Sequence, residues 1–155
     1  MNRHLWLVND LSELKVFALT FSKILELPIS VALFGDLGSG KTTLVRFLAQ
    51  SLGVKENVKS PSYNILEIYP LNGPGKLFHL DLYRLSRGAP IDFLLSGHDL
   101  QQGLIMVEWA EHVDRSFCFD LEISIRIETG TQRQIVIRPL SSLGRKVTSA
   151  AVWSG

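Results

Sequence analysis

The sequence contains a single cysteine, Cys118, among its 155 residues. One cysteine excludes a disulfide within the chain, and its two phenylalanine neighbours favour a packed thiol over a reactive one. No apolar run approaches the roughly 18 residues of a membrane-spanning helix. The first residues also lack the long apolar segment of a secretory signal. These absences lead us to expect a cytoplasmic protein with no membrane attachment.

An excess of charge of one sign is also absent, because 16 basic residues nearly balance 15 acidic residues. The resulting formal charge of +1 gives no broad electrostatic footprint for nucleic acid. The four histidines show none of the spacings typical of a zinc site. The composition therefore favours neither a basic nucleic-acid-binding domain nor a zinc protein.

A glycine-rich segment at 35–42 matches the phosphate-binding pattern G-x-x-x-x-G-K-[ST]. An apolar run at 31–34 predicts a strand before it, and the periodicity of 42–52 predicts an amphipathic helix after it. Such a turn directs backbone N–H groups and the positive end of a helix dipole at one point. We expect Lys41 to reach the β- and γ-phosphates and the Thr42 hydroxyl to hold Mg²⁺. The predicted nucleoside triphosphate site comprises Gly35, Asp36, Leu37, Gly38, Ser39, Gly40, Lys41, Thr42 and Thr43.

Two apolar runs end in a carboxylate, as the acidic strand of a triphosphate-hydrolysing site does. Residues 104–107 precede Glu108, and the less uniformly apolar run 77–80 precedes Asp81. Open α/β sheets bind ligands at the carboxyl ends of their strands, where both side chains are expected. Either carboxylate would then hold the metal or orient the attacking water. The alternative interpretation is that each one only marks a solvated strand end.

Three further features are compatible with this site. The segment 60–63, Ser-Pro-Ser-Tyr, follows the phosphate-loop helix, where a hydroxyl on a switch-like loop would sense the γ-phosphate; a simple turn is the alternative. His79 is expected on the same strand face as Asp81, as a packed or hydrogen-bonded histidine. Trp109 follows Glu108 and would either pack near the phosphates or close the core.

The remaining patterns predict a P-loop NTPase-type α/β fold: a three-layer sandwich whose mixed, mostly parallel sheet is extended by antiparallel strands. A capping box at Asp10 begins a first helix, strands at 65–69 and 77–82 flank a turn at 72–75, and a short helix lies near 91–95. Strands at 121–127 and 134–137 form an antiparallel pair. We expect one ATPase domain over 1–140 and a poorly ordered tail over 141–155.

Four blocks of the sequence are distinctive together: GDLGSGKTTL at 35–44, VKSPSYNI at 58–65, HLDLYRL at 79–85 and MVEWAE at 106–111. They resemble the TsaE family, bacterial P-loop ATPases of tRNA threonylcarbamoyladenosine synthesis. The resemblance implies ATP rather than GTP as the nucleotide, a Walker B role for Glu108 toward Mg²⁺ and hydrolysis, and a further active-site carboxylate at Asp81. Ser62 stands where the family commonly has threonine, which keeps the sensing hydroxyl.

The resemblance also implies partners and roles. TsaD and TsaB homologues form the dimer that modifies tRNA, and the TsaE ATPase resets that dimer without itself carrying out the transfer, so tRNA is expected to be an indirect partner. Lys41, Asp81 and Glu108 become the expected catalytic residues. Leu11 and Arg133 are candidates for holding the adenine or ribose, with a structural role as the alternative. Two other functions stay open: a small-molecule kinase with an arginine-bearing lid, and a binding module that uses ATP with negligible turnover.

Overall fold

The computed structural model describes residues 2–61 and 63–150 of the chain. These residues form one seven-stranded sheet with helices packed against it. In chain order the elements are β1 (His4–Val8), α1 (Leu11–Ile24), β2 (Ile29–Phe34), α2 (Lys41–Ser51), β3 (Leu66–Pro70), β4 (Lys76–Asp81), α3 (Ile91–Leu94), β5 (Gly103–Glu108), a 3-10 helix (Ala110–His112), β6 (Leu121–Ile127), β7 (Arg133–Pro139) and α4 (Ser142–Thr148).

The strand order across the sheet is β1-β7-β6-β2-β5-β4-β3. The four strands β6, β2, β5 and β4 run parallel to one another. The outer strands β1, β7 and β3 pair antiparallel with their neighbours. The predicted α/β fold is thereby confirmed, with parallel strands beside the phosphate loop and antiparallel strands extending the sheet. The carboxyl ends of β2, β4 and β5 lie at the same edge, which is where ligands bind in such sheets.

Two apolar clusters lie on opposite faces of the sheet, because successive strand residues point to alternate sides. Val31 and Leu33 of β2 belong to the larger cluster, which packs α1 and α2 against the sheet. Ala32 of the same strand belongs to the smaller cluster, which the chain between β4 and β6 covers. With structure on both faces, all six residues of β5 are buried, including Glu108 at its end.

The first helix begins at the predicted capping box. The Asp10 carboxylate accepts a hydrogen bond from the Glu13 backbone N–H at 2.9 Å. Glu13 reaches back and accepts from the Asn9 backbone N–H at 2.7 Å, one residue before the helix cap. These contacts satisfy N–H groups that have no partner within the helix. None of the described helices is long and apolar enough to cross a bilayer.

The structure differs from the sequence prediction at both ends of the described chain. His4–Val8 forms β1, a strand that the sequence analysis did not predict; its alternating pattern is only five residues long and pairs with β7, far away in sequence. The prediction of a poorly ordered tail from residue 141 is wrong for Ser142–Thr148, which form α4. Ser141 caps this helix by accepting from the Gly144 N–H at 3.0 Å, and Val147 is buried against the core.

We predict that Phe21→Ala lowers the free energy of unfolding by about 3–5 kcal/mol, because it deletes a ring from a filled core. Phe21 has no exposed surface and stacks on Phe17 with ring centroids 6.0 Å apart. Phe93→Ala is the matched control, since 75% of Phe93 is exposed. Chemical denaturation of both variants measures the difference. Equal losses of stability would contradict this description of the core.

Candidate functional site

The phosphate loop joins β2 to α2 and leaves the start of the helix open. Gly40 adopts a φ of 114°, which brings the chain into the helix through a conformation that L side chains rarely adopt. In the part of the chain that the structure describes, no side chain caps the N terminus of α2. The first N–H groups of the helix therefore remain available to an anionic ligand.

The loop also requires a glycine at its start for steric reasons. A Cβ atom on Gly35 would lie 2.5 Å from the Ser39 hydroxyl and 2.7 Å from the Ile125 carbonyl oxygen. Neither distance is tolerable, and the second involves the backbone of β6, which cannot rotate away. A Cβ atom on Gly38 would meet nothing within 4 Å. The loop is thus packed tightly against the sheet at one end and open at its tip.

A cavity of about 410 Å³ lies over this loop, at the carboxyl ends of the parallel strands. It combines the backbone of the phosphate loop with carboxylates from β4 and β5 and with side chains that follow those strands. The residues that line it are Leu37, Gly38, Ser39, Gly40, Lys41, Thr42, Thr43, Ser60, Asp81, Tyr83, Arg84, Glu108 and Trp109.

Glu108 and Thr42 connect the central strand to the phosphate-loop helix. The Thr42 hydroxyl lies 2.8 Å from Oε1 and 2.9 Å from Oε2 of Glu108, so its hydrogen bond is shared between both oxygens. Oε2 also lies 2.6 Å from Nε2 of His79 on β4. Glu108 is only 2% exposed, and these donors compensate for its burial. The structure therefore brings together the two residues predicted to hold a metal.

Asp81 lies beside Glu108, because the two are cross-strand partners at the ends of β4 and β5. Its Oδ2 accepts a hydrogen bond from the Ser60 hydroxyl at 2.6 Å, and its Oδ1 accepts from the Tyr83 backbone N–H at 3.0 Å. Both predicted carboxylates thus face the cavity from neighbouring strands. The hydroxyl that contacts Asp81 comes from Ser60; Ser62, the residue selected from the sequence, lies outside the described residues.

The Lys41 ammonium is held within its own loop. It donates to the carbonyl oxygen of Gly35 and, at 3.3 Å, to that of Asp36. It also lies 4.2 Å from the centroid of the Trp109 ring, close enough for a cation–π interaction. Burial lowers the pKa of Lys41, and the nearby carboxylate of Glu108 opposes that shift. A polyphosphate would offer this ammonium stronger, charged acceptors than carbonyl groups.

The sequence alone is compatible with two positions for Trp109, near the phosphates or in the core. The structure places it in the wall of the cavity, directly after Glu108. Its backbone is in the left-handed region, at φ 56° and ψ 47°, which costs a non-glycine residue roughly 1–2 kcal/mol. The Tyr83 ring lies 4.9 Å away from it, centroid to centroid. Strain of this kind concentrates at functional sites.

A second cavity of about 190 Å³ adjoins the phosphate loop on its other side. It is lined by Gly38, Ser39, Gly40 and Thr43, which also line the first cavity, and by Leu11 and Arg133. Arg133 Nε donates to the Ser39 carbonyl oxygen at 3.1 Å. The turn before β7 also contacts the start of α1, because the Thr131 hydroxyl donates to the Asn9 carbonyl oxygen at 2.6 Å.

The ATP site predicted from the sequence omits two residues of the first cavity, Tyr83 and Arg84 in the segment after β4; Arg84 enters the sequence interpretation only as a candidate for the arginine-bearing lid of a kinase. Arg84 places its guanidinium carbon 4.1 Å from the centroid of the Tyr63 ring, which is 82% exposed. Tyr83 and Arg84 both lie within the block at 79–85 that carries part of the family resemblance. Membership of that block is the sequence signal that marks these two residues. Their position at the cavity mouth depends on how two loops meet, which no local pattern encodes.

The oxygen donors fit Mg²⁺, which takes one or two protein oxygens and completes its shell with phosphate oxygens and water. Thr42 and Glu108 supply such donors at the end of β5. Among residues 2–61 and 63–150 there is no group of three or more His, Cys, Asp or Glu side chains that would hold a metal unaided. The donor set therefore suits a metal that enters together with a polyphosphate.

Comparison with known proteins identifies the family. The family profile described as "Threonylcarbamoyl adenosine biosynthesis protein TsaE" matches residues 8–135. This chain belongs to the TsaE family. The TsaE protein of Haemophilus influenzae is 33% identical over 141 residues, covering 86% of this chain and 88% of that protein. The Bacillus subtilis TsaE protein is 34% identical over 106 residues, covering 68% of this chain and 66% of that one.

A solved structure supports the same assignment. The crystal structure of Bacillus subtilis YdiB superposes with a TM-score of 0.76 at 26% sequence identity. The alignment covers 96% of this chain and 93% of that chain. The predicted TsaE resemblance and the predicted P-loop fold are therefore both confirmed, and a P-loop NTPase-type fold indicates nucleotide binding.

We predict that Gly35→Ala destabilises the fold more than Gly38→Ala. Both glycines have positive φ, at 153° and 80°, but only at Gly35 would the new methyl group meet the backbone of β6. We expect Gly38→Ala to cost about 1–2 kcal/mol from backbone strain and Gly35→Ala a further 1–3 kcal/mol or so from overpacking. Urea denaturation measures both changes, and equal losses would show that the loop is not packed as described.

Proposed function

We propose that this chain is the ATP-binding and ATP-hydrolysing subunit of the assembly that makes threonylcarbamoyladenosine in tRNA. The observation that carries the proposal is the contact between Thr42 and Glu108 beneath an uncapped helix N terminus. This contact joins the phosphate-loop hydroxyl to an acidic strand end, the pair that P-loop NTPases use for their metal. The TsaE family supplies the biological context.

The triphosphate belongs in the larger cavity under this proposal. The N–H groups at the start of α2 would bind its oxygens, and Lys41 would exchange its two backbone carbonyl partners for the β- and γ-phosphates. The adenine or ribose would enter the smaller cavity between Leu11 and Arg133. Support for this arrangement comes from Thr43 and the glycines that line both cavities, since one nucleotide can then cross the loop.

Thr42 and Glu108 would hold Mg²⁺ against the bound triphosphate, and the ion would supply charge neutralisation at the phosphates. Glu108 contributes a carboxylate that two donors already orient. Asp81, fixed by Ser60 and the Tyr83 N–H, is placed to orient the attacking water or a metal-bound water. We assign the metal role to Glu108 because it contacts Thr42 directly, whereas no described contact joins Asp81 to Thr42.

TsaD and TsaB homologues are the proposed protein partners, with tRNA contacted indirectly, and we expect the complex to act in the cytoplasm. The Tyr63 ring is 82% exposed and lies against Arg84, an exposed residue at the mouth of the cavity, and these solvent-facing side chains support a site that a partner completes. Closure of such a mouth excludes water and completes the site. On its own the chain is then expected to hydrolyse ATP slowly.

We predict that adding the TsaB and TsaD homologues raises the rate of phosphate release. We also predict that Lys41→Ala lowers ATP affinity or turnover by about 10-fold or more. The variant loses a charge-assisted phosphate contact. Titration with a fluorescent ATP analogue and a phosphate-release assay, each with Mg²⁺, measure the two effects. Transfer of the γ-phosphate to a metabolite would instead indicate a kinase. Partner binding that ATP strengthens without release would indicate a binding module.

We predict that Glu108→Ala slows phosphate release by about 100-fold or more while changing ATP affinity much less. The lost carboxylate orients groups for hydrolysis, whereas the N–H groups and Lys41 bind the phosphates. Glu26→Ala is the control, because Glu26 is an exposed carboxylate that pairs with Lys146, away from the cavity over the phosphate loop. Single-turnover assays on both variants provide the comparison. Wild-type release from Glu108→Ala would move the role to Asp81.

A further inference from the structure

His79 lies in the middle of β4 with no exposed surface. Its cross-strand partner on β5 is Met106, two residues before Glu108. The imidazole ring spans this diagonal, and its Nε2 atom lies 2.6 Å from Oε2 of Glu108. We assign the proton of this contact to Nε2, because a carboxylate oxygen is an acceptor. A buried histidine thus holds the acidic strand end from within the sheet.

The contact distinguishes between the two oxygens of Glu108. Thr42 lies nearly equidistant from both, at 2.8 and 2.9 Å, and therefore does not fix which oxygen faces the loop. His79 contacts Oε2 alone. Because β4 is buried along its length after Lys76, the donor cannot swing away with a loop. The orientation of the carboxylate is consequently set by the sheet.

Only one of the two ring nitrogens of this histidine has a partner in the described part of the chain. Among the described residues its Nδ1 atom has no hydrogen-bond partner although it is buried. A buried polar atom without a partner lowers the stability of the fold. An apolar side chain at position 79 would avoid that cost, but it would also remove a donor from the buried Glu108 carboxylate. What position 79 contributes is therefore the donor that it offers to Glu108.

We propose that His79 is a positioning residue for the ATPase site, which holds Glu108 so that Oε1 is presented to the Thr42 side of the cavity. The inference rests on the proposed function, because it assigns Glu108 its orientation in metal binding and hydrolysis. Residues that orient a metal-binding side chain commonly account for about 10–100-fold in metal affinity or activity. His79 itself contacts neither nucleotide nor metal.

Two amide variants test the role. The side-chain nitrogen of glutamine reaches about as far from the backbone as Nε2 of histidine, whereas that of asparagine ends near Nδ1. We expect His79→Gln to keep most of the turnover measured with the partner proteins. His79→Asn should lose about 10-fold or more in kcat and require about 10-fold more Mg²⁺ for half-maximal binding of a non-hydrolysable ATP analogue. The affinity for ADP without metal should be alike in both variants.

Nitrogen-resolved NMR of the ligand-free chain gives a readout independent of activity. We expect a protected imidazole N–H on Nε2 of His79 that exchanges faster in Glu108→Ala. A proton on Nδ1 instead, or equal kcat and Mg²⁺ dependence in the Gln and Asn variants, would overturn the inference while leaving the ATPase intact. If the wild-type chain never releases phosphate with its partners, the proposed function fails and the positioning role fails with it.

Discussion

The hydrogen bond between the Thr42 hydroxyl and the Glu108 carboxylate is the contact on which the site depends. It joins the first turn of α2 to the end of the most buried strand, and it spans 66 residues of sequence. The phosphate loop is packed on the sheet at Gly35 and open at its tip. The contact therefore couples the loop that would bind phosphate to the strand that would hold the metal.

The site concentrates polar groups that the rest of the core excludes. The described buried polar residues are few, and Lys41, His79, Asp81 and Glu108 are among them. Burial disfavours the charged form of Lys41, and Trp109 adds backbone strain beside it. Each of these features opposes folding, so the large apolar clusters on both faces of the sheet must compensate. Such costs are typical of preorganised sites.

Much of the fold and of the site follows from local patterns. The phosphate loop is contiguous in sequence, and Glu108 and Asp81 end apolar runs, so their places at strand ends were predictable. The diagonal contact between His79 and Glu108 was not, because it depends on the register of two strands and joins residues 29 apart in sequence. β1 was missed because five alternating residues are a weak signal until β7 pairs with them. α4 was missed because its small and polar residues resemble a frayed end, although Ser141 caps it.

The contacts of the β6–β7 turn have a consequence for how the chain can vary. Exposed turns between antiparallel strands are usually where a domain accepts extra residues. Here the turn region binds the start of α1 through Thr131 and the phosphate loop through Arg133. Lengthening it would separate those two anchors. We therefore expect insertions in this turn to be poorly tolerated, because its length sets how the start of α1 lies relative to the phosphate loop.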